Sequence, residues 1–194
     1  MKDIEITCEV FEKVEKIKNT LIGKGFKYKE SFTLDDIYMY NKSNKQFFIK
    51  DGKIADTLII RNVSEDDKKI ICKKRIYDND GLEIGTDKTI LKVKDIEASE
   101  KLFNILGYER YLRMIDTNHM YESENYIVYI QEIKDLGLFL EIELKGNNDN
   151  TVYDLINYTK KLNLKIGNKF DIRKAEYFYN QIWKRWKYYY FWKW

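Results

Sequence analysis

The chain has 194 residues, 44% of them hydrophobic and 15% aromatic. That is enough apolar material for one well-packed domain and too much for a disordered chain. With 35 basic and 32 acidic residues the formal charge is +3, a balance that by itself points to neither a nucleic-acid partner nor a membrane surface.

Residues 2–8 alternate, with Asp3, Glu5 and Thr7 on one face and Ile4, Ile6 and Cys8 on the other, which predicts a first strand with an acidic face. From Val10 the period changes. Val10, Val14, Ile17, Leu21 and Ile22 form a helical stripe that Gly23 or Gly25 ends. Phe26 to Tyr40 reads as extended and aromatic-rich, broken near Asp35-Asp36, and Asn41 to Gln46 as a polar turn. Strands are expected over Thr57–Val63, Lys69–Tyr77 and Thr86–Val93, the last two joined through the turn Asp78-Asn79-Asp80-Gly81. Glu65 to Lys69 reads as a solvated hairpin tip. Ile96, Ala98, Leu102, Phe103 and Leu106 restore the helical period until Gly107.

Arg110–Tyr121 and Tyr126–Ile133 predict a strand pair around Glu122-Ser123-Glu124-Asn125. The strand Leu136–Leu144 follows, with Leu138, Leu140, Ile142 and Leu144 on one face and Phe139, Glu141 and Glu143 on the other. Those two carboxylates would stand about 7 Å apart at about 3.4 Å per residue. They are either a solvated outer face or hard oxygen ligands for a divalent metal in a polar cavity. A helix capped by Asn150 or Thr151 comes next, and a last helix is expected from near Asp171.

This order, with the run Gln131-Glu132-Ile133-Lys134-Asp135-Leu136-Gly137-Leu138-Phe139-Leu140-Glu141-Ile142-Glu143, resembles the CYTH superfamily of triphosphate tunnel metalloenzymes. Leu106-Gly107-Tyr108, Tyr121, Asp36 with Tyr38, Arg61 and Lys73 carry the same resemblance from about residue 2 to about residue 160. It implies an α+β fold, an antiparallel eight-stranded β-tunnel with helices outside. It also implies a triphosphate ligand, either a nucleoside triphosphate or an inorganic or organic polyphosphate. Arg61 and Lys73 would hold the phosphates, and Mg²⁺ or Mn²⁺ would sit on Asp3, Glu5, Glu141 and Glu143. Water attack would make the protein a triphosphatase, and attack by a ribose 3′-hydroxyl a class IV adenylyl cyclase. No catalytic residue is assigned.

The sequence departs from the pattern in its cations. Thr7 stands in place of a lysine, Ile59 of an arginine, and Asp116 and Asn118 of two further basic residues; Gln131 replaces an aspartate. Lys88, Thr89 and Leu91 fall near the acidic positions of the middle strand. The parity of Arg113 is wrong for a substitute, and Asp116 would repel a phosphate. Lys50, Lys74 and Arg75 are other cations nearby. The alternative expectation is therefore a non-catalytic descendant that binds a nucleotide, polyphosphate or protein.

Cys8 and Cys72 lack metal-ligand spacing and read as small core residues, and His119, the sole histidine, as an ordinary strand residue. Gly23-Lys24-Gly25 lacks the strand–helix frame of a dinucleotide loop. Residues 1–170 are expected to form the tunnel domain. Residues 171–194, containing all four tryptophans, are expected to form an aromatic and basic C-terminal helix packed on the domain or on a partner subunit of a homodimer. The lesser alternatives for such interleaving are a lipid interface or stacked nucleic-acid bases. With no apolar signal core and no long apolar run, a cytoplasmic protein is expected and a membrane partner is not.

Overall fold

Period-two alternation along long β-branched and aromatic runs makes strands here, and turns rich in Gly, Asn and Asp separate them. A computed structural model describes residues 4–43, 48–49, 53–54, 56–77, 83–146 and 151–181. In order, the elements are β1 (Glu5–Glu9), α1 (Val14–Gly23), β2 (Lys27–Asn41), β3 (Phe48–Ile49), β4 (Lys53–Ile54), β5 (Asp56–Asn62) and β6 (Lys68–Tyr77). They continue with β7 (Glu83–Val93), α2 (Ile96–Ile105), β8 (Tyr108–Glu122), β9 (Tyr126–Ile133), β10 (Gly137–Leu144), α3 (Val152–Lys161) and a final helix, α4 (174–181). The predicted turn at Asp78–Gly81, Asp3, Lys50 and the tail beyond residue 181 lie outside the described residues.

Eight strands form one antiparallel sheet in the order β1-β10-β9-β8-β2-β5-β6-β7, and β3 pairs with β4 in a separate ribbon. The terminal strands β1 and β7 are not paired to each other through the backbone among the described residues. Lys88 of β7 instead reaches Glu5 of β1 at 3.8 Å. Alternate residues of all eight strands face one cavity, so the sheet is curled nearly into a closed tunnel. The fold is α+β, as expected.

The leucine face of β10 explains the outer layer. Leu140 and Ile142, both fully buried, join Ile17 and Leu21 of α1, Leu155 of α3 and Val128 and Ile130 of β9 in one core. Elsewhere on the same outer face α2 sets Ile96 and Phe103 against Ile37, Leu58, Ile60 and Ile70. A capping box between Thr151 and Asp154 starts α3. Gly137 opens β10 at φ +130, a conformation that a side chain rarely tolerates.

Several local expectations need correction. Strand β2 runs unbroken through Asp35-Asp36 because each carboxylate has a cross-strand cation: Asp36 pairs with Arg61 inside and Asp35 with Arg113 outside. Val10 lies before α1, not in it, and bridges to Ile166. The final helix starts at 174, because Asp171 is still bridged to Thr7 of β1. Cys8 is buried, but Cys72 is exposed, since it has the outward parity of β6.

One half of the tunnel is packed with apolar side chains. Phe139, fully buried on the inward face of β10, packs with Tyr38, Ile59, Ile71 and Met114 and with Ile172, Ala175 and Phe178 from the C-terminal segment. Its ring meets Tyr177 edge-on at 6.0 Å. Phe139→Ala should cost about 3–5 kcal/mol of unfolding free energy, measured by urea denaturation. A cost under about 1 kcal/mol would show that this half of the tunnel collapses around the void.

Candidate functional site

The other half of the tunnel is a cavity of about 470 Å³ whose walls alternate charge with apolar surface. Because β10 pairs with β1 in the register Glu5↔Glu143 and Thr7↔Glu141, the inward carboxylates of the two strands converge. Glu5, Glu141 and Glu143 place ligand oxygens all within 4.8 Å of one another. Two oxygens bound to one Mg²⁺ at about 2.1 Å each are at most about 4.2 Å apart. A small rotation of these side chains therefore suffices to share an ion, and three carboxylates are the hard donor set such an ion takes. Asp3 lies outside the described residues.

The inward cations come from strands across the cavity. Arg61 of β5 is committed: its Nε and Nη2 donate to the two oxygens of Asp36 at 2.7 and 2.6 Å, and the Tyr38 hydroxyl donates to the same carboxylate at 3.4 Å. Lys88 of β7 turns inward beside Glu5, which settles the register that the sequence left open. Lys73 of β6 is half-buried in the cavity wall and makes no hydrogen bond or ion pair with the described residues. Burial lowers its pKa, Glu5 and Glu141 oppose that, and Lys88 and Arg61 add to it. Of the other candidates, Lys74 and Arg113 point outward and are exposed.

A further cation comes from outside the sheet. The segment before α4 runs along the free edge of β1, with Thr7 N–H donating to Phe170 O and Ile172 N–H donating to Thr7 O, both at 3.1 Å. This delivers Lys174 into the cavity, where its Nζ donates to Gln131 Oε1 at 2.7 Å and to Glu141 Oε2 at 2.9 Å and stands 3.7 Å from Asp116 Oδ2. Burial would raise the Glu141 carboxyl, but Lys174, followed by Lys73 and Arg61, outweighs it and holds Glu141 well below the usual carboxylate range. The same burial would lower the Lys174 ammonium, yet Glu141 and Asp116 keep it raised. For Asp116 burial wins over Lys174 and pushes the carboxyl up to about 6. The expected repulsion of phosphate by Asp116 is thereby corrected, because its charge already faces an ammonium.

Sequence reasoning placed Glu5, Glu141, Glu143, Arg61 and Lys73 around one cavity and missed Lys174. Nothing periodic marks Lys174; only the backbone pairing of 170–172 to β1 puts it there. His119 is also more than an ordinary strand residue. On the outer face of the sheet its Nδ1 meets Ser31 Oγ at 2.5 Å and its Nε2 meets Glu132 Oε1 at 2.8 Å. The surrounding backbone is paired in the β2–β8 and β8–β9 ladders, which leaves no cradle of free N–H groups for an oxyanion. The inward cavity is the better-built site.

No model of a known protein family matches the chain. A candidate adenylate cyclase of Methanocaldococcus jannaschii is 24% identical over 172 residues, covering 87% of this chain and 93% of that protein. The solved PH1012 protein of Pyrococcus horikoshii superposes with a TM-score of 0.67 at 20% identity, over 86% of this chain and 95% of that one. HpAC1 of Hippeastrum, a candidate adenylyl cyclase described as having a dominant triphosphatase activity, superposes with a TM-score of 0.63 at 11% identity, over 90% and 94% of the two chains. The chain shares the fold of these two solved structures, in keeping with the α+β, eight-stranded antiparallel architecture expected from its sequence.

The position of Asp116 predicts a pH effect on stability. Its carboxyl binds a proton more tightly folded, at about 6, than at its ordinary 3.8. Stability from this group is therefore full below about 3.8 and lost as pH rises to about 6. Asp116→Asn should remove that loss, so its unfolding free energy relative to the parent should climb across this window and level off above it. Urea titrations at half-unit pH steps measure the difference; a pH-independent offset would contradict the assignment.

Proposed function

We propose that the chain is a divalent-metal-dependent phosphotransfer protein acting on a triphosphate, as a triphosphatase or an adenylyl cyclase. The observation that carries this reading is the facing arrangement inside one cavity: Glu5, Glu141 and Glu143 clustered on β1 and β10, with Lys73 and Lys88 across from them. The three carboxylates fit Mg²⁺ or Mn²⁺, which would supply charge neutralisation and polarise the phosphoryl oxygens. The chain's own groups do the rest. Lys73, which makes no hydrogen bond or ion pair with the described residues, is set to take phosphate oxygens, and Lys88 and Arg61 reinforce the positive field beside it. The apolar cluster around Phe139 forms one wall of the same cavity, through Tyr38, Ile59, Met114, Ile172 and Ala175.

The similarity to a candidate adenylate cyclase and to a fold neighbour with triphosphatase activity supports a nucleoside triphosphate or a simpler polyphosphate as the ligand class. A second reading, binding without turnover, is favoured by one specific feature: Arg61 and Lys174 are both engaged by carboxylates of the protein itself.

Purified protein with Mg²⁺ or Mn²⁺ should release phosphate, or cyclic AMP, from ATP, inorganic triphosphate or thiamine triphosphate. Glu141→Gln should lower the rate by about 10²-fold or more. Ligand-dependent thermal stabilisation without product, abolished by Lys73→Met, would identify the binding module instead. Neither turnover nor stabilisation would refute both.

A further inference from the structure

Three of the positions at which the sequence departs from the tunnel pattern lie together. Asp116 and Asn118 of β8, which stand where two cations would be, and Gln131 of β9, which stands where an acid would be, form one socket. Asn118 Oδ1 accepts from Gln131 Nε2 at 3.0 Å. That contact fixes the amide so that Gln131 Oε1 accepts from Lys174 Nζ at 2.7 Å. Asp116 is 2% exposed, Asn118 1% and Gln131 2%, and Asp116 Oδ1 has no hydrogen-bond partner among the described residues. Buried polar groups without partners are costly, so such a cluster is built for a cation and would be a liability without one.

Lys174 enters this socket and does not fill its hydrogen-bonding capacity with the described residues. An ammonium has three N–H groups. Gln131 and Glu141 take two of them, and the nearest oxygen of Asp116, at 3.7 Å, is beyond hydrogen-bond reach. The remaining N–H belongs to a charge held in the wall of the cavity, beside position 116.

We propose that Lys174 supplies the ligand-contacting cation that β8 lacks, donating to a phosphate oxygen of the triphosphate, so that the site is complete only with the C-terminal segment docked. This rests on the phosphotransfer reading above and adds to it a substrate contact from outside the sheet. The positive charge has moved from a strand to the start of a helix, and Asp116, Asn118 and Gln131 are the matching half of that move. A purely structural role, in which Lys174 only neutralises Glu141 and Asp116, makes different predictions.

The test is isothermal titration of inorganic triphosphate with Mg²⁺ into the full chain, with the thermal midpoint recorded for each variant. Lys174→Met should weaken binding by about tenfold or more, and Lys174→Arg should retain most of it. The double variant Asp116→Lys/Lys174→Met, which returns the cation to β8, should recover affinity to within about threefold of the parent. Unchanged affinity in folded Lys174→Met would overturn the proposal. So would a double variant that regains its thermal midpoint but not its affinity. If Lys174→Met does not fold, the Arg and double variants decide alone. A parent protein that binds no triphosphate under these conditions would refute the phosphotransfer reading and this inference together, whereas tight binding indifferent to Lys174 refutes the inference only.

Discussion

Carboxylates enclosed by a curled sheet are stable only when cations are brought to them, and that requirement organises the interior of this protein. Removing one partner of a buried pair typically costs about 3–5 kcal/mol, because the other charge is then stranded. Asp36 is answered by Arg61 from the neighbouring strand, Glu5 by Lys88 across the open seam, and Glu141 and Asp116 by Lys174 from the C-terminal segment. The first lies within the β2–β5 ladder, whereas the other two join parts of the chain that the sheet's ladder does not pair among the described residues. The Glu5–Lys88 contact is the clearest instance, since β1 and β7 exchange no backbone hydrogen bonds among the described residues. Charge compensation helps to shape the tunnel as well as to furnish it.

The same constraint explains why the C-terminal segment belongs to the site. An unpaired edge of β1 would be exposed to other strands; residues 166–172 cover it with hydrogen bonds to Thr7 and Glu9. That pairing fixes register, and two residues past Ile172 the register sets Lys174 into the cavity. The hydrophobic contacts of Ile172, Ala175 and Phe178 around Phe139 then hold α4 in place. Backbone, apolar packing and ion pairing thus converge on one lysine. Their combined effect is precision: Lys174 is held on both sides of its nitrogen, where a lysine on a free loop would not be.

What the sequence made legible follows from period two. Alternation assigns a side of the sheet to each residue, and so Glu141, Glu143, Glu5, Arg61 and Lys73 were all placed inward correctly from spacing and resemblance together. Parity is blind to partners. It could not say that Arg61 would be clamped by Asp36 while Lys73 makes no hydrogen bond or ion pair with the described residues, because that depends on which inward residues are neighbours across two strands. Nor could it choose among Lys88, Thr89 and Leu91, where a shift of one residue exchanges the faces. The break expected at Asp35-Asp36 failed for a related reason: two adjacent carboxylates disfavour a strand only when each lacks a cation, and here each has one.

Asp116 shows the limit most sharply. Taken as a strand residue among phosphate-binding positions it is a misplaced negative charge, and the conclusion that the cavity had lost its grip followed. The cation that answers it sits at the start of α4, beyond the reach of periodicity, and is brought there by two backbone hydrogen bonds that no side-chain pattern encodes. Asp116 on a strand and Lys174 on a distant segment are unrelated in the sequence pattern; in the folded chain their charged groups stand 3.7 Å apart. A count of retained and missing residues therefore measures how far a site has drifted from a pattern. Whether the site still holds charge of the right sign is decided by geometry.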